Sequence, residues 1–240
     1  MDVRETVKTL VKQAVAAYLE ANQESLQSSK PAITILLTYH ASNPDEILKA
    51  ITSIEEAFNI TLVASKEWSA RLNEKEALPI EDMPQYELQK LWRETDLLIL
   101  PVASFGLVSK LALMMDDDKA VKTAVGFQLL GKPVIIAKDE VELGVYQQVL
   151  APYSVQEKLQ DYIRTLQKDK VKLVPLTQLT KTATEELSQL KERQPLILAK
   201  HIESASRERL SEVTVPKNSK ITPVAKDMAR ELKVKIHKET

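Results

Sequence analysis

Four short apolar stretches constrain this chain most: Ala32–Thr38, Asn59–Ser65, Asp96–Ala103 and Val134–Ala137. Each is too short for a buried helix and rich in Ile, Leu and Val, the composition of a strand buried on both faces. Between them apolar residues recur at three- and four-residue intervals. Asp45–Phe58 sets Ile47, Ala50, Ile51, Ile54 and Phe58 on one side of a helix, with Pro44 suited to its first position. Gln85–Glu94, Ser104–Asp116 and Lys119–Leu130 read as further helices, the last stopped by Gly131-Lys-Pro. Strands that alternate with helices are joined by right-handed crossovers, so the sequence predicts an α/β fold of three layers, a parallel sheet with helices on both faces.

The flanks are different in kind. Residues 1–23 read as an amphipathic helix in which Val3, Val7, Leu10, Ala14 and Tyr18 share a stripe. Residues 24–31 are a polar linker ended by Pro31. The α/β body is expected over 32–140. Residues 141–240 are expected to be a mainly helical extension packed on the same domain, with short strands at Lys172–Pro175 and Val213–Val215 and a long helix Thr182–Leu210 interrupted near Pro195. No internal repeat is evident.

Composition removes several functions. The chain has no cysteine, which excludes disulfides, thiolate metal sites and a cysteine nucleophile. It has four glycines, too few and too scattered for a glycine-rich phosphate loop. The formal charge is −1 and no basic block occurs, which argues against nucleic acid as a partner. No apolar run is long enough for a membrane, and the first residues lack the layout of a secretory signal, so a cytoplasmic location is expected. Asp116-Asp-Asp118 reads as a helix junction capped by Asp rather than as a metal site.

In an open parallel sheet, ligands bind beyond the carboxyl ends of the strands. Three such ends carry candidates: Thr38, His40 and Ser42 after the first strand, Ser65 and Trp68 after the second, and Ala103, Ser104, Phe105 and Gly106 after the third. The last group opens directly into a helix, whose free N–H groups suit a phosphate, although Ser104 also fits the role of a plain helix cap. His40 is the candidate proton donor. No Ser–His–Asp or paired-carboxylate spacing is present, so redox or group-transfer chemistry would have to come from a cofactor.

The segment Leu98-Ile-Leu-Pro-Val-Ala-Ser-Phe-Gly-Leu-Val-Ser-Lys-Leu-Ala112, followed by Asp116-Asp-Asp, Gly126–Leu130 and Gly131-Lys-Pro-Val-Ile-Ile-Ala137, resembles the flavoprotein family of homo-oligomeric flavin-containing cysteine decarboxylases and flavin reductases. The resemblance implies a Rossmann-like (flavodoxin-like) fold, FMN as cofactor, and a homo-oligomer built from trimers. It also implies flavin contacts at Thr38, His40, Ser42, Ser65, Ala103, Ser104, Phe105 and Gly106. The first loop, Thr-Tyr-His-Ala-Ser-Asn, departs from the family's glycine- and serine-rich one, and Gly106 stands where the family has asparagine. The closing Ile221-Thr-Pro-Val-Ala-Lys-Asp-Met-Ala resembles a segment of proteins encoded with bacterial microcompartments, and residues 1–23 are similar to encapsulation peptides that dock on shell or enzyme partners. Two readings stay open: a microcompartment-associated flavoprotein for electron transfer, with corrinoid reduction as its task, or a non-catalytic assembly protein that kept the fold and lost the flavin.

Overall fold

The computed structural model of this protein describes residues 30–72 and 76–238. The amphipathic stretch 1–23 and most of the linker lie outside the described residues. The chain divides into two compact units, Met1–Leu187 and Ser188–Thr240.

The first unit is built on a six-stranded parallel sheet. Its strands are β1 (Ala32–Leu37), β2 (Asn59–Ala64), β3 (Leu78–Pro79), β4 (Leu97–Leu100), β5 (Val134–Ala137) and β6 (Lys172–Val174), in the order β3-β2-β1-β4-β5-β6. That is the doubly wound Rossmann-like order, as the alternation of strands and helices requires. The order reverses between β1 and β4, whose register runs Ile33 to Leu97, Thr34 to Leu98 and Ile35 to Ile99.

Period-two alternation sends side chains of each central strand to opposite layers. Leu36, Leu98, Leu100, Val134 and Ile136 face one layer, formed by α3 (Gln85–Glu94), α4 (Phe105–Ala112), α5 (Lys119–Leu129) and α7 (Tyr153–Lys168). Ile33, Ile35, Leu37, Leu97, Ile99 and Ile135 face the other, which contains α1 (Pro44–Ala57), the short α2 (Lys66–Ser69) and α8 (Leu179–Glu192). All eleven of these strand residues are buried, so the sheet is dry on both faces. Thr34 is the polar exception in β1. It is satisfied by donating to Thr95 Oγ1 at 3.0 Å, which in turn donates to the Leu91 carbonyl at 2.7 Å.

The α/β unit continues past residue 140. β6 adds to the sheet beside β5, and the apolar stripe of α7, including Leu159 and Leu166, packs into the first layer. Between β5 and α7 lies α6 (Val145–Leu150), none of whose residues is buried.

The second unit bears out one expectation and corrects another. The interruption expected near Pro195 separates α8, which stops at Glu192, from α9 (Ala199–Arg207), with β7 (Leu196–Ile197) between them. The unit is also an internal repeat. β7, α9 and β8 (Glu212–Val215) are followed in the same order by β9 (Lys220–Ile221), α10 (Pro223–Glu231) and β10 (Lys235–Lys238). β7 pairs parallel with β9, and β8 with β10. Each helix ends on a residue of positive φ, Arg209 at 59° and Lys233 at 56°. The next N–H then closes a bond of 2.9 Å, from Leu210 to the Ala205 carbonyl and from Val234 to the Ala229 carbonyl.

Candidate functional site

The loops that leave the carboxyl ends of β2, β1 and β4 adjoin one another because those strands are neighbours in the sheet. Helix starts and loop contacts then fix their side chains. After β2, Ser65 accepts a bond from Trp68 N at 3.4 Å and caps α2. That places Trp68 in the core, 3% exposed, with its indole N–H donating to the Tyr39 carbonyl at 2.6 Å. The loop after β1 is thereby tied to the loop after β2.

Thr38 and Tyr39 form the end of the first strand. Thr38 Oγ1 is buried and has no hydrogen-bond partner among the described residues. Tyr39 packs against both core layers, and its phenol is held well above the usual tyrosine range, first by burial and then by the nearby Asp118 carboxylate. His40 is exposed, with Nδ1 3.7 Å from Glu67 Oε1. Ser42 is engaged from a distance: its N–H donates to Glu140 Oε1 at 2.6 Å and its hydroxyl to Glu140 Oε2 at 2.7 Å.

At the end of β4, Ala103 is 1% exposed and offers only its backbone. Ser104 caps α4, its hydroxyl accepting from Leu107 N at 3.1 Å. The first turn of α4 carries no acidic residue, so the positive end of its dipole is uncompensated. A Cβ on Gly106 would meet only Ser104 Oγ, at 3.5 Å. The backbone there is open to close approach.

That opening leads into a pocket of about 410 Å³. Phe105, Gly106 and Ser109 of α4 form one wall, and Val155, Leu159 and Tyr162 of α7 the other. Leu143, from the loop after β5, and Lys158 complete it. The lining is almost wholly apolar, the first turn of α4 contributes Phe105 and Gly106 to it, and no ion pair engages Lys158 among the described residues. Nothing in the sequence of α7 marks Tyr162, Lys158 or Leu159 as pocket residues. Their place follows from the packing of α4 against α7.

Asp118 caps α5, accepting from Val121 N at 2.8 Å, while Asp117 and Asp118 pair with Lys110 at 2.8 and 3.3 Å. Among the described residues no group of His, Asp and Glu side chains could hold a metal ion, and no helix is long and apolar enough to cross a membrane.

Sheet order and crevice together define a doubly wound α/β protein, and solved structures share this fold. The chain is similar to DmrB from Burkholderia xenovorans, a cubic protein cage for redox transfer: the apo form is 17% identical, the match covers 68% of this chain and 99% of that one, and the TM-score is 0.53. DmrB in complex with FMN matches over the same shares at 15% identity and a TM-score of 0.51. TvaF, an FMN-dependent cysteine decarboxylase from thioviridamide biosynthesis, is 13% identical over 66% of this chain and 98% of its own, with a TM-score of 0.51. At these identities the likeness is one of fold. Neither a protein-family model nor a curated protein sequence matches the chain.

Proposed function

We propose that this chain is an FMN-binding flavoprotein that transfers electrons. The observation that carries the reading is the pocket between α4 and α7, apolar along its walls, with the acid-free first turn of α4 and Lys158 among the residues that line it. An aromatic ring system bearing a phosphate needs that combination. FMN, when bound, supplies the electron-transfer chemistry. The chain's residues bind and shield it: Phe105 and Tyr162 wall the ring, Leu143, Val155 and Leu159 exclude water, and Ser104, Phe105 and Gly106 present the backbone that faces the phosphate. The fold neighbours DmrB and TvaF, one solved with FMN and one FMN-dependent, support the reading.

The test is the visible spectrum of the purified protein, followed by titration with FMN. Flavin bands or saturable binding are expected, and Ser104→Glu, which sets a carboxylate at the α4 N-terminus, is expected to weaken binding by about tenfold or more. Unchanged affinity in that variant would refute the phosphate placement.

The proposal extends to assembly and address. Val145, Tyr146, Val149 and Leu150 of α6 and Tyr153 just beyond it are 74–84% exposed, and Val155, which lines the pocket, is exposed as well. A second copy of the chain is the proposed partner of these residues, in a trimer or a multiple of one. Residues 1–23 are proposed to address the protein to a microcompartment shell or its enzymes, with a corrinoid as electron acceptor. Deleting residues 1–28 is expected to leave a folded body that no longer co-purifies with shells; loss of folding would sink the targeting role.

One contact favours the second reading, an assembly protein without flavin. Glu140 already occupies the N–H and hydroxyl of Ser42, which the family resemblance assigned to the cofactor. A colourless protein indifferent to FMN would establish that reading.

A further inference from the structure

A second pocket shares Leu143 with the one described above and is otherwise lined by different residues. Its volume is about 610 Å³, inside the range of small-molecule sites, roughly 300–1,000 Å³. It belongs to the edge of the sheet: Lys138 follows β5, Leu173 lies in β6, and β6 is the last strand. It thus stands apart from the reversal of strand order between β1 and β4.

The chemistry of its lining is the opposite of its neighbour's. α7 contributes Gln156, Gln160, Ile163 and Gln167, spaced by four, three and four residues, so they form one stripe of the helix. The charged residues of α7, Glu157, Lys158, Asp161, Arg164 and Lys168, all fall outside that stripe. A helix face that merely meets solvent accepts charges freely; this one has three amides and none, set along a cavity.

α6 adds Gln148, and two of the amides are held by backbone. Gln156 Nε2 donates to the carbonyls of Gln148 and Ala151, both at 2.8 Å, which uses both its N–H groups and leaves Oε1 as an acceptor. Gln148 Nε2 donates to the Leu143 carbonyl at 2.7 Å and keeps one N–H and its own Oε1. No side-chain hydrogen bond engages Gln160 or Gln167 among the described residues. Acceptors and donors therefore stand side by side, the pairing that a hydroxyl group satisfies.

The charged residues in the lining are Lys138 and Glu142, and they neutralise each other as an ion pair. A charged ligand would find no unpaired counter-ion. A purely apolar one would strip water from the amides and replace none of their bonds. A neutral carbon skeleton bearing several hydroxyls meets both conditions, with Leu143, Ile163 and Leu173 as the surface for its C–H groups.

We propose that this pocket binds a neutral polyhydroxylated small molecule, a monosaccharide, disaccharide or sugar alcohol, through Gln148, Gln156, Gln160 and Gln167. The flavin reading is not required, because Leu143 alone is common to the two pockets.

The side-chain amide resonances of the isotope-labelled full chain, without added FMN, are followed by NMR during titration with glucose, galactose, maltose and sorbitol. Glucuronate and glucosamine serve as charged counterparts, and N-acetyl-trialanine amide as a peptide. At least one neutral compound is expected to shift the amides of Gln148, Gln156, Gln160 and Gln167 to saturation. Gln85 and Gln178, exposed elsewhere, should stay fixed. Gln160 and Gln167 are themselves exposed, so the double variant Gln160→Ala/Gln167→Ala leaves the core intact, as its melting curve checks. It is expected to bind about tenfold more weakly, the scale of two lost hydrogen bonds.

No saturable shift with any of the four neutral compounds overturns the proposal, as does an equal shift at Gln85 and Gln178. A response to the peptide or the charged sugars alone also overturns it, and so does unchanged affinity in the folded double variant.

Discussion

Tyr39 shows how a single residue couples the crevice to the core. Its carbonyl receives the Trp68 indole, its ring touches both layers, and its phenol lies near Asp118 and Asp117. Burial and those carboxylates disfavour the phenolate, and the Thr38 hydroxyl beside it offsets only part of the rise. The stability consequence has a definite sign. Below about pH 10, the ordinary tyrosine value, the phenol is protonated in folded and unfolded chains alike and contributes no pH dependence. Above it the unfolded phenol ionises while the folded one resists, so stability falls as pH rises. Tyr39→Phe is expected to make that decline shallower between pH 9 and 11, read as urea midpoints of the two proteins at each pH. Parallel curves would show that the phenol does not titrate with folding. At this scale the sequence was legible where chemistry is local. Ser104 and Asp118 cap helices as their positions before helical runs predict. Glu140 was not legible, because four crossovers separate it from its partner along the chain and nothing within ten residues of either one marks the contact.

Elements were legible in proportion to how much apolar surface each buries. β1, β2, β4 and β5 were read from sequence because, Thr34 aside, every buried position is Ile, Leu, Val or Ala. β3 is two exposed residues, Leu78 and Pro79, and has no period to detect. β7 and β9 are equally short. In the apolar run Leu196–Ala199 the periodicity therefore passes from strand to helix without a break, and this hid β7 although the interruption near Pro195 was legible. The repeat was hidden for a related reason: its two halves share roles rather than residues. Thr222 caps α10 with its hydroxyl, and Pro223 occupies the first turn, whereas Leu198 precedes α9 with no side-chain acceptor. The Thr-Pro-x-Ala segment thus has a structural account, with Ala225 and Ala229 buried in the core of the second unit. α6 is the opposite case, an element whose apolar residues are outside. Exposing Val145, Tyr146, Val149 and Leu150 together is unfavourable in water, and a covering copy would remove that cost. Replacing Tyr146 and Leu150 by Glu is expected to lower the mass measured by light scattering to that of the single chain. The melting temperature of the sheet unit should survive, since neither residue is buried. An unchanged mass would place the oligomer contact elsewhere.

The whole molecule is two units of unequal means. The first has two cores, one on each face of the sheet, with long apolar side chains in every layer. The second spans Ser188–Thr240, and its core cluster is Ile202, Ala205, Ala225, Ala229 and Val234, three of them alanines. A fully buried Ile or Val contributes about 1.5–3 kcal/mol and an alanine far less, so this core is marginal against the backbone entropy of its length. What compensates is geometry: small residues let α9 and α10 approach closely, and each helix is closed by the same left-handed turn. Such a unit should open before the sheet does. Native-state hydrogen exchange on the full chain is expected to find the amides of α9, α10 and β8 opening several kcal/mol below those of β1, β4 and β5. Because the repeat pairs β7 with β9 and β8 with β10, both halves should lose protection together rather than from one end inward. Ala229→Leu, which overpacks the junction of the two helices, should lower protection in the second unit and leave β1, β4 and β5 unchanged. One shared opening free energy for the slowest amides of both units would mean instead that the second unit is an inseparable part of the sheet's cooperative fold.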